Sequence, residues 1–506
     1  MSDDRQINGH DVTQHSVPPA PAPLEGAGSS EGVEVLEQLL SVQKTLSGRR
    51  LLITGSTGFL AKVLVSMVLR YHPDIEQLYI IIRQRPSQTA YERFLEEVVE
   101  NPTFDPLREI YGAGLHDFIA QKVTVFAGDL TQRFLGLDPK DATAVSCTLD
   151  LFINSAGLTN FNPNLESALN INTLSEYNIL EFLELGDFRA SLLHVSTAFV
   201  AGNTDDPVPE VPPGPYTYPA VGEVEVSFDH LREIEDCQRM IAYTKHMAED
   251  QERASLFAKD ARERMRKRNL DPKDEQAYQR AFHDAKRAWI KNELSQRGRQ
   301  RAAHWGWPNI YTYTKSMGER LLVDHADRVN MSISRPAVIE SAMSYPIVGW
   351  NEGINTCAPL AYLRYKGQRY FPMHPDYALD VIPVDYVCGA LLSISAALLE
   401  RRAEPVYHLG SSDLNPFPFE RLVELTTLAS RKIRKGKVNQ PKLQKAVLDM
   451  IEGTVVPKST FDTFSAPGLH KALGGLKSLL SAVPKKKLGV VGGVLDKVER
   501  QVSGLE

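Results

Sequence analysis

Residues 51–62, with the sequence LLITGSTGFLAK, decide how this chain folds. A short apolar run leads into a glycine turn, and the residues after the turn can open a helix. Gly55 and Gly58, followed by the small Ala61, allow the backbone to turn tightly and to approach a pyrophosphate. Free N–H groups at the helix N-terminus would then hold a pyrophosphate. The stretch predicts the first unit of a dinucleotide-binding sheet, although a strand–turn–helix without a ligand has the same pattern.

The composition is that of an ordinary globular protein. Its 506 residues, 42% of them hydrophobic and 24% charged, can bury a large core and are expected to form more than one domain. A formal net charge of −6 argues against general binding to nucleic acid. The four cysteines lack C-x-x-C spacing, so the sequence predicts neither a metal site nor a disulfide framework.

The N-terminal segment, residues 1–32, is rich in Pro, Gly, Ser and Asp and is predicted to be a disordered leader. It lacks a basic region followed by an apolar one, and no apolar run in the chain reaches the roughly 18 residues that cross a bilayer. We therefore expect a cytoplasmic protein whose contact with a membrane, if it has any, is peripheral.

Strand-like and helical patterns alternate after a helical pattern at residues 33–47. The further strand-like runs are LYIIIR at 78–83, KVTVFAGDL at 122–130, LDLFINSAG at 149–157, SLLHVSTAFVAG at 191–202 and MSISRPAVIE at 331–340. This alternation predicts an α/β fold with a Rossmann-type, doubly wound parallel sheet over residues 33–414.

The second predicted strand ends in a basic sequence, Arg83-Gln84-Arg85. In a Rossmann unit this strand end faces the adenosine ribose, where an acidic residue accepts from a 2′-hydroxyl and an arginine pairs with a 2′-phosphate. The absence of Asp or Glu favours NADPH over NADH. Two solvated arginines after a strand are the alternative interpretation.

The ends of the next two strands are also candidates for cofactor contacts. Gly128-Asp129-Leu130 follows the third strand, and Gly-Asp is by itself a good turn. Asn154-Ser155-Ala156-Gly157 follows the fourth, where small residues allow the backbone to lie against a ribose and nicotinamide. Both segments fall where open α/β sheets bind their ligands, beyond the carboxyl ends of the strands.

Three residues form the candidate catalytic set. Thr197, favoured over Ser196, ends the fifth strand, where its hydroxyl can donate to a carbonyl. Tyr311 and Lys315 are four residues apart on a predicted helix and therefore share a face. The ammonium can lower the tyrosine pKa while the phenol protonates a carbonyl that receives hydride. Tyr362 and Lys366 repeat the spacing but lack a strand on either side in the required order.

Two regions depart from the alternating pattern. Residues from about 203 to 306 combine a proline-rich loop with charged helices, and we expect this insertion to lie over the nicotinamide end and shape the substrate site. Residues 415–506 predict a smaller, mainly helical C-terminal region with basic amphipathic stretches. That region either caps a substrate tunnel or lies on an anionic membrane surface.

Asp380 and Asp385, which lie outside the Thr–Tyr–Lys set, are expected to be structural.

The motifs taken together resemble the fatty acyl-CoA reductases, the male-sterility-type members of the extended short-chain dehydrogenase/reductase superfamily. They also resemble, less closely, the thioester reductase domains of carboxylic acid reductases. The likeness covers about residues 48–430 and is seen in TGSTGFLAK, LYIIIR, GDL, INSAG, HVSTAFV, WPNIYTYTK and SRPAVIESA.

The resemblance implies NADPH as cofactor and assigns its contacts. They are Gly55, Ser56, Thr57, Gly58, Phe59 and Leu60 for the pyrophosphate, Arg83 for the 2′-phosphate, Asp129 and Leu130 for the adenine, and Asn154, Ser155, Ala156, Lys315 and Pro336 for the ribose and nicotinamide side. It assigns catalysis to Thr197, Tyr311 and Lys315.

The implied reaction is reduction of a long-chain fatty acyl thioester, carried by CoA or by acyl-carrier protein, through an aldehyde to a primary alcohol. An aldehyde-forming reductase is the nearest alternative. A sugar-nucleotide epimerase or dehydratase would use the same Thr–Tyr–Lys set, but the large insertion and the basic second strand end disfavour it. A non-catalytic dinucleotide-binding protein is disfavoured because the tyrosine and lysine are both present.

Overall fold

The computed structural model describes residues 39–204, 207–214, 228–353, 356–374, 377–436 and 452–464. Contacts separate Met1–Ser41 from Val42–Glu506, and the elements below belong to the second unit. The leader predicted at residues 1–32 and most of the C-terminal tail lie outside the described residues. The limits predicted for the domains stay predictions.

The strands are short and carry β-branched and aliphatic residues. They are β1 Arg50–Thr54, β2 Gln77–Ile82, β3 Val123–Ala127, β4 Leu151–Asn154, β5 Ser191–Val195, β6 Met331–Pro336, β7 Val338–Glu340, β8 Tyr370–Pro372, β9 Val381–Pro383, β10 Val406–Leu409 and β11 Thr454–Val456. The expected second strand begins and ends one residue earlier than predicted, so Arg83 follows it.

Seven of these strands form one parallel sheet in the order β10-β6-β5-β4-β1-β2-β3. The register places Leu51 of β1 opposite Leu78 of β2 on one side and opposite Leu151 of β4 on the other. The strand order reverses between β1 and β4, and in such sheets a crevice opens there at the carboxyl ends. The doubly wound parallel sheet predicted from the sequence is confirmed.

Helices cover both faces of the sheet. They are α1 Val42–Leu46, α2 Phe59–Tyr71, α3 Ala90–Phe94, α4 Asp105–Tyr111, α5 Leu115–Lys122, α6 Pro139–Thr148, α7 Leu165–Leu169, α8 Ser175–Glu184, α9 His230–Met247, α10 Gln251–Lys267, α11 Glu275–His304, α12 Ile310–Val323, α13 Ala358–Lys366, α14 Val384–Leu399, α15 Phe419–Gly436 and α16 Lys458–Phe464. A π-helical turn, Asn170–Leu174, joins α7 to α8.

Strand β1 contributes side chains to the core on both faces of the sheet, because successive side chains of a strand point to opposite faces. Leu51 and Ile53 pack with α2 and α14, whereas Leu52 packs with Phe152 and Phe182 on the side of α6 and α8. All five side chains are fully buried. Buried side chains on both faces of the sheet therefore fix the position of β1, and with it the crevice at its carboxyl end.

The charged part of the insertion forms the helices α9, α10 and α11, and α9 and α11 pack on the helix that follows them. Ile234 and Ile241 of α9 and Leu294 of α11 share a core with Met317 of α12. Helices α10 and α11 pack on each other through small residues and a few aromatic rings. The polar faces of these helices explain why their sequence contains so many charges.

The chain after β6 builds small parallel pairs beside the main sheet, β7 with β9 and β8 with β11. Asp385 accepts backbone hydrogen bonds from Met343, Ser344 and Tyr345 at 2.8–3.0 Å, and Asp380 accepts one from Ser411 at 2.8 Å. Both aspartates therefore have structural partners.

No helix among the described residues is both long and apolar enough to cross a bilayer.

Candidate active site

The glycine turn after β1 is closely packed against the turn after β4. Gly55 has φ +74°, and a Cβ placed on it would lie 2.7 Å from the carbonyl oxygen of Ser155. The N–H of Gly58 donates to the carbonyl oxygen of Gly55 at 2.8 Å. Only glycine fits at position 55, because a side chain would strain the left-handed backbone and strike Ser155.

The residues of this turn fit a dinucleotide. Gly58 precedes the first residue of α2, so the turn brings backbone to a helix N-terminus, where an anion is favoured. The hydroxyl of Ser56 is buried and has no hydrogen-bond partner among the described residues. A buried hydroxyl without a partner is costly unless a ligand supplies one. Thr57, Phe59 and Leu60 complete the segment.

Phe59 also connects the turn to a distant part of the chain. Its ring stacks on Trp350, with 5.2 Å between the ring centroids and 7° between the planes. Lys62, on the next turn of α2, is ion-paired with Glu352 at 2.7 Å. These contacts fix the loop after β7 beside the proposed cofactor site, and no sequence pattern indicated them.

The arginines near the end of β2 differ in whether their guanidinium groups are ion-paired. Arg85 is ion-paired with Glu97 at 2.8 Å, and Arg93 binds Glu97 at 3.0 Å. Arg93 also donates to the carbonyl oxygen of Arg83 at 2.9 Å. The exposed side chain of Arg83 has no ion pair with any described residue, so it is free to meet an anion.

The other cofactor candidates lie in the expected turns, with side chains partly engaged. Oδ1 of Asp129 accepts from both the backbone N–H and the hydroxyl of Thr131, at 2.9 and 2.8 Å, and the carbonyl of Leu130 accepts from Asn178. The backbone N–H of Ala156 lies 3.3 Å from the hydroxyl of Thr54. Asp129 thus stabilises its own turn whether or not it also contacts an adenine.

Helix α12 brings Tyr311 to Thr197. The side chain of Asn309 caps the helix by accepting from the N–H of Thr312 at 2.9 Å. Tyr311, in the first turn, lies close enough to the Thr197 hydroxyl for that group to affect the pKa of the phenol. Burial raises the pKa of Tyr311 to about 12, and the nearby Thr197 hydroxyl opposes that rise. The phenol is therefore protonated at neutral pH, as a proton donor must be.

Lys315 lies one turn further along the same face. Its Nζ donates to the carbonyl oxygen of Val195 at 2.8 Å and lies 3.4 Å from Nε2 of His194. The hydroxyl of Thr197 lies 3.5 Å from the carbonyl oxygen of Pro336, at the end of β6. The structure thus brings together Thr197, Tyr311, Lys315 and Pro336 at the carboxyl ends of β5 and β6.

The second Y-x-x-x-K pair lies elsewhere. Tyr362 is half exposed on α13, and the Nζ of Lys366 lies over its ring, 5.4 Å from the centroid. Helix α13 packs on α15. The two matches therefore lie in different surroundings, and the choice of Tyr311 and Lys315 as the catalytic pair stays a prediction.

A buried polar network below Lys315 was not predicted. Asn154 accepts from the Thr54 hydroxyl at 2.8 Å, and its Nδ2 lies 3.2 Å from Oε2 of Glu176. Nδ1 of His194 lies 3.5 Å from Oε2 of the same carboxylate. The Asn154 side chain is turned into this network, so only its backbone can face the crevice. One indication of this network was present in the sequence: His194 and Glu176 are polar residues within largely apolar stretches, LLHV and SEYNILEF.

The sheet order, the glycine turn and the grouping of Thr197, Tyr311 and Lys315 define a dinucleotide-binding fold of the extended short-chain dehydrogenase/reductase type. Comparisons with known proteins agree. Residues 53–391 match the NAD-binding family model described as Male sterility protein. The match covers more than half of the chain.

Named relatives carry a consistent description. The chain is 31% identical over 394 residues to the alcohol-forming fatty acyl-CoA reductase of Simmondsia chinensis, covering 77% of this chain and 72% of that protein. It is 31% identical over 412 residues to the chloroplastic fatty acyl-CoA reductase 2 of Arabidopsis thaliana, covering 80% of this chain but only 60% of the plant protein. This chain belongs to the male-sterility-type family of fatty acyl-CoA reductases.

Solved structures of similar fold include the terminal R domain from the myxalamid PKS-NRPS biosynthetic pathway. That domain is 17% identical, with 86% of this chain and 91% of the domain covered and a TM-score of 0.46.

Proposed function

We propose that this protein uses NADPH to reduce a long-chain fatty acyl thioester, through an aldehyde, to a primary fatty alcohol. The observation that carries the proposal is the grouping of Thr197, Tyr311 and Lys315 at the carboxyl ends of β5 and β6, where Lys315 donates to the carbonyl oxygen of Val195 at 2.8 Å. Two hydroxyl donors side by side suit a carbonyl oxygen that gains negative charge. Family membership supports the same substrate class.

The chain's own residues have three tasks in this reaction. Thr197 and Tyr311 donate to the thioester oxygen and orient its carbon, and Tyr311 gives up its proton as charge grows on that oxygen. NADPH, when bound, supplies the hydride. The Lys315 ammonium stabilises the tyrosinate that is left, because opposite charges attract strongly at a buried site. Tyr311 must regain a proton before the next reduction.

Bond changes balance in two rounds. One hydride and one proton convert the thioester to a hemithioacetal, which expels the thiol and leaves an aldehyde. A second hydride and a second proton convert the aldehyde to the alcohol. Because both carbonyls need the same donors, one site serves both rounds.

Arg83 supports the preference for NADPH. Its guanidinium follows β2, is exposed and has no ion pair with a described residue, whereas Arg85 and Arg93 are held by Glu97. A 2′-phosphate is the group that a free arginine at this place would bind. The thioester carrier is either CoA or acyl-carrier protein, and both remain part of the proposal.

The C-terminal region is proposed to adjoin the acyl chain or a membrane surface. Helix α15 buries Phe419 and Val423 against Phe371, while Leu425 and Leu428 are exposed beside a basic end. Deleting residues 465–506 tests the membrane alternative. Retained pelleting with anionic lipid vesicles would exclude those residues as the anchor.

The decisive assay follows NADPH consumption with palmitoyl-CoA and identifies the lipid product. Two NADPH oxidised per thiol released, with hexadecanol as product, is the expected result. One NADPH per thiol, with aldehyde as the final product, would replace the proposal by an aldehyde-forming reductase. No oxidation with a panel of acyl thioesters on CoA and on acyl-carrier protein would contradict thioester reduction.

A further inference from the structure

Glu176, His194 and Lys315 form a buried row behind the proposed acid. The Nζ of Lys315 lies 3.4 Å from Nε2 of His194, and Nδ1 of the same ring lies 3.5 Å from Oε2 of Glu176. None of the three residues is more than 2% exposed. An ammonium and a carboxylate are thus joined through one imidazole ring.

Only one tautomer of a neutral His194 suits both neighbours. Nε2 must accept from the ammonium, so Nδ1 carries the hydrogen and directs it at Glu176. The amide of Asn154 lies 3.2 Å from the same Nδ1, but it can donate to the carboxylate of Glu176, also at 3.2 Å. Burial and the charge of Lys315 hold the pKa of His194 well below its usual range, so the ring stays neutral.

We propose that Glu176 is a positioning residue for the reductase reaction, which acts through His194 to keep the Lys315 ammonium charged and in place in alkaline solution. The inference rests on the proposed function, because that function gives Lys315 its role. Glu176 touches neither substrate nor cofactor in this proposal.

The other charged groups facing Lys315 do not replace Glu176. Glu319, on the same helix, is one turn away, but it is ion-paired with the buried Arg335 at 2.7 Å. Tyr311 is neutral at working pH. Both carboxylates favour the charged form of Lys315, but Glu176 does so more strongly, because the charge of Glu319 is shared with Arg335.

The protonation states place the effect above neutral pH. Burial raises the pKa of Glu176 to about 8, while attraction to Lys315 opposes the rise. Burial lowers the pKa of Lys315, while Glu176 and Glu319 oppose that fall. Glu176 therefore gains its negative charge at about pH 8, and above that pH its charge favours the ammonium form of Lys315.

The first test compares pH profiles of kcat and KM for the wild type and Glu176→Gln, with Glu184→Gln as the control. Glu184 lies on the same helix, exposed and ion-paired with Arg328. The alkaline limb of kcat should move down by about one pH unit or more in Glu176→Gln. The KM for the thioester should stay within about twofold, and the profiles should coincide below about pH 7. Glu184→Gln should follow the wild type throughout.

The second test distinguishes the link through His194 from mere packing. Glutamine at position 194 can accept from Lys315 and donate to Glu176, whereas leucine can do neither. His194→Gln should keep the alkaline limb within a few tenths of a unit, and His194→Leu should shift it as Glu176→Gln does. Equal shifts in both His194 variants would overturn the link.

An unshifted limb in a correctly folded Glu176→Gln protein would overturn the proposal itself. A third measurement remains available even if no thioester is reduced. Spectra of ¹⁵N-histidine-labelled protein, with His194→Gln used to assign the signal, report the tautomer. Hydrogen on Nδ1 of His194 is expected, and hydrogen on Nε2 would contradict the arrangement whatever reaction the protein performs.

Discussion

Arg301 of α11 donates two hydrogen bonds to the carboxylate of Glu233 in α9, from Nε to Oε1 and from Nη2 to Oε2, both at 2.6 Å. The same carboxylate accepts from the phenol of Tyr313 in α12. Glu233 is only 2% exposed. The charged insertion and the helix of Tyr311 are thus tied together at one buried carboxylate.

Arg301→Ala should lower the free energy of unfolding by about 3–5 kcal/mol, because it leaves the buried Glu233 carboxylate without its cation. Chemical denaturation measures the loss. Arg297→Ala is the matched control, because Arg297 lies one turn away in an ion pair with Glu293 near the surface and should cost under about 1 kcal/mol. A similar loss in both variants would show that Glu233 does not depend on Arg301.

Tyr311→Phe should lower the rate of thioester reduction by about 10²-fold or more while the dinucleotide still binds, because the variant keeps the ring and loses the proton. Turnover and NADPH fluorescence titration measure the two effects separately. Tyr362→Phe, in the exposed second Y-x-x-x-K pair, should behave as the wild type. Normal turnover in Tyr311→Phe would remove the assignment of the acid.

Arg83→Ala should weaken NADPH binding by about tenfold or more and leave NADH binding nearly unchanged, because only NADPH carries the 2′-phosphate. Titrations with both cofactors check this difference. Arg189→Ala removes an equal charge from the turn before β5 and should change neither affinity much. Equal losses for both cofactors in Arg83→Ala would mean that this arginine does not bind the phosphate.

Stability should also depend on pH through Glu176. Its folded pKa of about 8 lies above the unfolded value near 4.3, so the folded state binds the proton more tightly and wild-type stability is lost as pH rises between them. Relative to Glu176→Gln, the wild type should lose up to about 1.4 kcal/mol per pH unit in that window. Denaturation curves from pH 5 to pH 8 measure the difference. Parallel curves would show that Glu176 is not held protonated.

Local patterns were enough to predict the sheet and the helix that carries Tyr311 and Lys315. The glycine turn at Gly55, the apolar strands and the i to i+4 spacing of Tyr311 and Lys315 are set by residues close in sequence. The family resemblance then added roles for Thr197 and Arg83. Strand limits were accurate to about one residue for β2, since an apolar run must match the width of the core.

The features that the sequence did not predict are contacts between residues far apart in the chain. His194 looks like a core residue until β5 is placed beside α12, and Glu176 looks like a surface charge until α8 covers the sheet. The stacking of Phe59 on Trp350 likewise joins two segments with no shared motif. Such pairings depend on the completed fold, so spacing rules cannot indicate them.

The two hydroxyl groups that meet at the site, on Thr197 and Tyr311, are separated along the chain by all of residues 198–310. Bringing them together closes a long loop at an entropic cost, and contacts between residues far apart in sequence slow folding. Neighbouring strands such as β1 and β2 can pair well before the insertion has docked. We therefore expect catalytic competence to be among the last properties that a refolding chain acquires, so that activity should return after the secondary structure does.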